Sequence, residues 1–177
     1  MKAICDFGER MRHFADSSAH RNRYPFFIPD TSVEWCAKIC PAIKISRLGT
    51  HIARKFASRY YDSVAPAVIF MSSAAADDFA NADERYFVCD SAYCLGDSVA
   101  IGGQETEHII SIGDKHLNFT TQTLNADEIV SKLSEFATLK MGDLVIFGNN
   151  GFNISINVGE QLTVKLDGAD SIDIKIK

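Results

Sequence analysis

The sequence predicts an α+β fold, rich in β-structure and carrying only a few short helices. Three observations point there. The C-terminal third holds three segments, 152–157, 161–166 and 171–177, in which apolar and polar residues alternate as they do along half-buried strands. A continuous apolar run, 144–147, lies between the turn Lys140-Met141-Gly142-Asp143 and the glycine-bracketed stretch 148–151, and reads as a buried strand. Segments 107–112 and 116–122 flank Gly113-Asp114, the turn chemistry of a hairpin.

In chain order, 2–7 reads as a first strand and 9–16 as a short helix. Polar loop follows at 17–24. Tyr24-Pro25-Phe26-Phe27-Ile28-Pro29-Asp30 is an apolar patch that its two prolines hold extended. Segment 33–46 is strand-like, and Pro41, which has no N–H to donate, predicts an edge position or a bulge. Ile52, Phe56 and Tyr60 recur every four residues and predict a helix over 50–62. Pro66 precedes a buried strand at 67–71. The small, polar run 72–82 fits a weak helix or a loop, and 85–90 and 99–102 fit strands. Segment 125–138 is the clearest helix, with Asn125 as cap, Glu128 completing a capping box, and Ile129, Val130, Leu133 and Phe136 inward.

Composition bounds the function. A chain of 177 residues with 46% hydrophobic content suits one domain over 1–177. A net charge of −5 argues against a nucleic-acid partner. No apolar run reaches the roughly 20 residues of a membrane span, and the start of the chain lacks a signal-peptide core. A cytoplasmic location follows as the expectation, with five reduced cysteines whose spacing suggests no disulfide framework.

The order of parts at the C-terminus is more specific. A helix is followed by Leu139-Lys140-x-Gly142-Asp143, a buried strand ending at Gly148, a glycine-bearing loop, then Val158-Gly159-Glu160 and a short strand. This resembles the C-terminal signature of the fumarylacetoacetate hydrolase family, Leu-x-x-Gly-Asp-Leu-Ile-x-Thr-Gly-Thr-Pro. Phe147-Gly148-Asn149-Asn150 stands where the family has Thr-Gly-Thr-Pro. Phe26-x-Ile28-Pro29-Asp30 and the run Gly49-x-His51-Ile52 to Asp62 are similar to further family segments. The resemblance covers most of the chain, with the N-terminal region shortened. It implies a mixed β-roll with a few short peripheral helices and a dimeric habit.

The resemblance also implies a magnesium or manganese ion held by three carboxylates, since hard cations take oxygen ligands. Aligned on Gly49, those carboxylates fall on Lys38, Cys40 and Ile69, and a histidine of the family falls on Cys36. The family's His-x-x-Glu dyad falls on Phe14 and Ser17, with His13 one residue early. A substrate arginine falls on Ser73 and the acid after it on Ala74. A lysine falls on Tyr86, or on Arg85 with a one-residue gap, and a substrate-binding threonine falls on Asn149. None of the three metal positions is acidic here, so no metal cofactor is expected.

Each chemical reading has a plainer rival. Lys38 either points into the old metal pocket as a replacement cation or is a surface lysine. Cys36 and Cys40, about 13 Å apart along a strand, cannot share one zinc and read as buried hydrophobes. A cysteine nucleophile would need one of His13, His51, His108 or His116 as its base. Asp77-Asp78 and Asp83-Glu84 read as a solvated acidic face. Gly102-Gly103 and Asn149-Asn150-Gly151 are turn chemistry. Tyr24, Phe26, Phe27 and Trp35 are either a partner patch or core.

The favoured reading is a non-catalytic relative that keeps the fold, pairs as a homodimer or with an active relative, and binds a small acidic ligand. The alternative is a divergent hydrolase, decarboxylase or tautomerase of a small oxo-acid, using Lys38, His13 and Asn149. A third reading is an interaction subunit whose former pocket is closed by the apolar residues Phe14, Ile69 and Phe147.

Overall fold

The computed structural model of the chain describes residues 1–8, 10–30 and 33–177. Strands β1 (Ala3–Asp6), β2 (Met11–Phe14) and β3 (Ala19–His20) open the chain. Two long strands follow, β4 (Trp35–Ile45) and β5 (Tyr61–Ser72), then the short helices α1 (Ser73–Asp77) and α2 (Arg85–Val88). Strands β6 (Tyr93–Leu95), β7 (Val99–Ala100), β8 (His108–Ile112) and β9 (Lys115–Phe119) precede α3 (Ala126–Phe136). The chain closes with β10 (Leu144–Phe147), β11 (Phe152–Ser155), β12 (Gln161–Leu166) and β13 (Ala169–Lys175).

Among the described residues, the strands form two sheets. The larger runs β2-β1-β10-β4-β5-β6-β3, with β11 continuing the edge of β4 and β7 that of β5. Pairs β1–β10 and β3–β6 are parallel and the others antiparallel, so the sheet is mixed. The smaller sheet runs β13-β12-β8-β9. Alternation along β4 and β5 divides the interior in two. Ala37, Ile39, Ile43, Val64, Val68 and Phe70 face α3 and the smaller sheet in one apolar cluster. Cys36, Cys40, Ala67, Ile69 and Met71 face the other way, against Phe14, Phe79 and Phe87.

Pro41 lies in the middle of the larger sheet, not at an edge or bulge. It is paired with Pro66, the proline of β5. Neither has an N–H, so the two form a non-hydrogen-bonded pair and their nitrogens face outward. On its outer side β4 pairs with β10 at Ala42–Lys44 and with β11 at Cys36–Ile39. β5 changes partner from β7 to β6 between Val64 and Ala67. Each proline therefore sits at a seam where its missing donor leaves no ladder bond broken.

Other sequence expectations are corrected. Residues 11–14 form β2 rather than a helix, because their backbone pairs with β1 in full register; Glu9 lies outside the described residues. Helix 50–62 shrinks to a 3-10 helix, Arg54–Arg59, and Phe56 is exposed. Tyr61 is drawn into β5, where it pairs with Ile45. Residues 85–88 form α2 rather than a strand, since the Asp83 carboxylate accepts the Arg85 N–H at 2.9 Å and starts a turn. Asn125 adopts φ 52° and does not cap α3 through its side chain, and Phe136 is 91% exposed rather than inward. Segment 72–82 is resolved as α1 plus a 3-10 turn, Phe79–Asn81.

Candidate functional site

The site is built on β4. A strand turns successive side chains to opposite faces, so Cys36, Lys38 and Cys40 share one face. Lys38 is the register partner of Ile69 on β5, and Cys40 that of Ala67. The three positions that the resemblance assigns to a metal, Lys38, Cys40 and Ile69, thus meet on one buried surface. On the other side of β4, Asn153 of β11 is also the register partner of Lys38. The Lys38 ammonium donates to its Oδ1 at 3.3 Å and lies 5.0 Å from the Phe79 ring centre.

The loop between β10 and β11 closes over this surface. A Cβ on Gly148 would lie 2.7 Å from the Phe79 ring and 2.9 Å from Cys5 Sγ. One on Gly151 would lie 2.5 Å from the Ile39 carbonyl oxygen and 2.6 Å from Cys40 Sγ. Gly148 lets the backbone approach β1 and Phe79, and Gly151 lets it approach β4. Between this loop and α1 is a cavity of about 250 Å³, lined by Lys38, Asp77, Asp78, Phe79, Gly148 and Asn149 among others. Lys38 is only 8% exposed, so it is not a surface lysine.

The thiols beside Lys38 are inert. Burial pushes Cys40 up to about 12, against a partial opposing pull from Lys38. Burial likewise raises Cys36 to about 11, with Lys38 opposing and Asp77 adding to the rise. Cys5, fully buried, is raised by burial and by its neighbours Cys40 and Asp6. Protonated thiols are neither nucleophiles nor metal ligands near neutrality.

This donor set does not fit magnesium or manganese. Such ions need several anionic or carbonyl oxygens, and the surface offers an ammonium, a protonated thiol and an alkyl group. Among the described residues, no cluster of three or more His, Cys, Asp or Glu side chains could hold a metal ion.

The other positions scatter. Phe14 is fully buried, its ring centre 5.3 Å from that of Phe87 and 4.8 Å from that of Tyr93. Ser17 is exposed on a 3-10 turn. His13 is exposed and pairs with Ile4, whose side chain belongs to the opposite apolar cluster, so His13 and Lys38 point to different faces. Phe147 also belongs to that opposite cluster, and of the three apolar residues only Phe14 and Ile69 pack on the Lys38 face. Ser73 begins α1 and donates its N–H to the Glu34 carbonyl at 2.9 Å. The Tyr86 hydroxyl donates to Ser72 Oγ at 2.8 Å. Asn149 alone of this group borders the Lys38 cavity.

Sequence reasoning missed Asn153 and Phe79 and placed Asp77 and Asp78 only on a surface. The alternation of β11 contains the signal for Asn153, because its register with Lys38 follows from the length of the 148–151 turn. The aromatic patch is divided. Phe26 stacks on Phe70 at 3.8 Å within the core, and with Phe27, Trp35 and Tyr86 it lines a second, larger cavity of about 520 Å³. Among the described residues, no helix is long and apolar enough to cross a membrane.

No protein-family model and no curated protein matches the sequence. Solved structures do match. The fumarylpyruvate hydrolase of Pseudomonas aeruginosa, solved with Mn2+ and pyruvate, superposes with a TM-score of 0.77 at 16% identity, over 99% of this chain and 89% of that one. The 2-hydroxyhepta-2,4-diene-1,7-dioate isomerase of Mycobacterium marinum gives 0.78 at 14% identity, over 99% and 73%. A protein of Yersinia pestis CO92 placed in the fumarylacetoacetate hydrolase family gives 0.75 at 16%, over 99% and 92%. The chain therefore has the fold of the fumarylacetoacetate hydrolase family, the β-rich α+β architecture that its sequence resembles.

Proposed function

We propose that this protein is a metal-independent, non-catalytic member of its fold class that binds a small carboxylate in the Lys38 cavity. The supporting observation is the ammonium of Lys38. It stands, largely buried, on the face where the resemblance places metal carboxylates, and its Cα partners are Ile69 and Asn153. A cation there repels a second cation and attracts the anionic end of a ligand directly. The divergent-enzyme reading loses its base, since His13 points to the other face. Homodimer formation, or pairing with an active relative, belongs to the same proposal, and so does a cytoplasmic location.

The test is an assay of the purified protein with fumarylpyruvate and with 2-hydroxyhepta-2,4-diene-1,7-dioate, each with millimolar Mn2+. No turnover above the uncatalysed rate is expected. Metal-dependent turnover abolished by a chelator would overturn the reading.

A further inference from the structure

We propose that the Lys38 cavity selects a small zwitterion of the α-amino-acid type over a simple anion; this rests on the preceding reading that the cavity holds a ligand without a metal. Lys38 is 8% exposed as a residue and lines the cavity. Its hydrogen-bond partner is the neutral carboxamide of Asn153 at 3.3 Å, and its other close neighbour is the Phe79 ring. Among the described residues, it forms no ion pair. Yet two carboxylates, Asp77 and Asp78, line the same cavity. Asp78 accepts from the Asn81 side chain through Oδ1 at 2.9 Å.

Opposite charges that share a cavity without touching leave room for something between them. A carboxylate seated on Lys38 completes one half. An ammonium seated against Asp77 and Asp78 completes the other. A simple anion gains the first contact and is repelled by the two aspartates; a simple cation suffers the reverse. A ligand carrying both charges on neighbouring carbons avoids both penalties. The volume, about 250 Å³, lies below the range of roughly 300–1,000 Å³ usual for drug-sized ligands, which keeps the ligand small.

L-alanine, L-lactate and pyruvate share a three-carbon acid skeleton and differ in one group: ammonium, hydroxyl or oxo. Calorimetric titration of the native protein with each, without added metal, is the experiment. Alanine is expected to bind about tenfold tighter than pyruvate, with lactate between them. Lys38→Met is expected to abolish alanine binding. The exposed double substitution Asp77→Asn with Asp78→Asn, which leaves the buried face untouched, is expected to erase the preference of about tenfold for alanine over pyruvate. Pyruvate binding as tightly as alanine would overturn the proposal while leaving a carboxylate site in place. Alanine affinity unchanged in the double variant, or no binding by any of the three acids, would also overturn it. None of these outcomes involves turnover, so a failure here is distinct from the metal-dependent activity that would overturn the non-catalytic reading.

Discussion

Lys38 and Asn153 are register partners across β4 and β11, and the ammonium of one donates to the carboxamide of the other at 3.3 Å. The contact joins the two halves of the site: the strand that carries the positions the resemblance assigns to a metal and the strand that follows the glycine loop. It gives a largely buried lysine a neutral partner rather than a counter-ion, so the cavity keeps an unneutralised positive wall.

Carboxylates at the positions the resemblance assigns to a metal should create metal dependence. Lys38→Glu, Cys40→Glu and Ile69→Asp together place three acids on one buried face. Without metal they repel one another and lose hydration, so the triple variant should unfold several degrees lower than the native protein. Millimolar Mn2+ should raise its Tm and leave that of the native protein unchanged. Thermal denaturation with and without Mn2+ checks both.

Gly151→Ala should be costly. Its Cβ would meet the Ile39 carbonyl oxygen at 2.5 Å, and backbone there cannot yield without disturbing β4. A loss of about 2–4 kcal/mol is expected from urea denaturation. Gly103→Ala, whose nearest neighbour would be the Thr106 hydroxyl oxygen at 3.6 Å, should stay within about 0.5 kcal/mol of the native value.

Asp143 of the Gly-Asp turn is a tie between chain segments, not a chemical group. Its carboxylate accepts the Lys2 N–H at 2.7 Å and the Lys140 N–H at 2.9 Å, and lies 3.2 Å from the Lys2 ammonium. Burial opposes ionisation, but these donors and the charge outweigh it and hold the carboxyl below its usual range. Its stabilisation is complete above the ordinary carboxylate range, near pH 4, and is lost as pH falls through the lowered value. Asp143→Asn should cost about 2 kcal/mol at pH 7 and flatten the acid limb of the stability profile.

The thiols set the alkaline limb. Burial raises Cys40 and Cys94 to about 12 each. Each holds its proton more tightly folded than unfolded, so the stabilisation is complete below about pH 9 and is lost as pH climbs toward the folded value. The slope approaches roughly 1.4 kcal/mol per pH unit for each such thiol. Equilibrium urea unfolding at pH 7, 9 and 10 reads the trend. Iodoacetamide at pH 8 should leave Cys40 and Cys94 unmodified in the native protein, with half-buried Cys89 reacting first, and modify all five cysteines in urea.

The strands of the C-terminal third were legible because their alternation coincides with real half-burial. Leu162, Val164 and Leu166 on β12, and Ile172 and Ile174 on β13, are buried with exposed or half-exposed residues between them. The errors came where tertiary pairing outweighs local pattern. Met11–Phe14 is a strand only because β1 lies beside it, and Pro41 is central only because Pro66 and two seams accommodate it. Phe136 shows the opposite failure, a residue at the right spacing on the last turn of α3, beyond the sheet that would cover it. At the site, the face shared by Lys38, Cys40 and Ile69 followed from strand period and the family frame. Asn153 was within reach through the alternation of β11 but was overlooked, whereas Phe79 and the aspartate wall come from the segment after β5, whose path the sequence leaves open.

Direct titration of the native protein with Mn2+ and Mg2+ by calorimetry, with elemental analysis of the protein as purified, tests the central claim that Lys38, Cys40 and Ile69 have replaced a metal site. The expected result is no bound metal and no heat of binding at millimolar concentrations. Stoichiometric binding of either ion would contradict it, because a divalent cation cannot share that surface with the Lys38 ammonium.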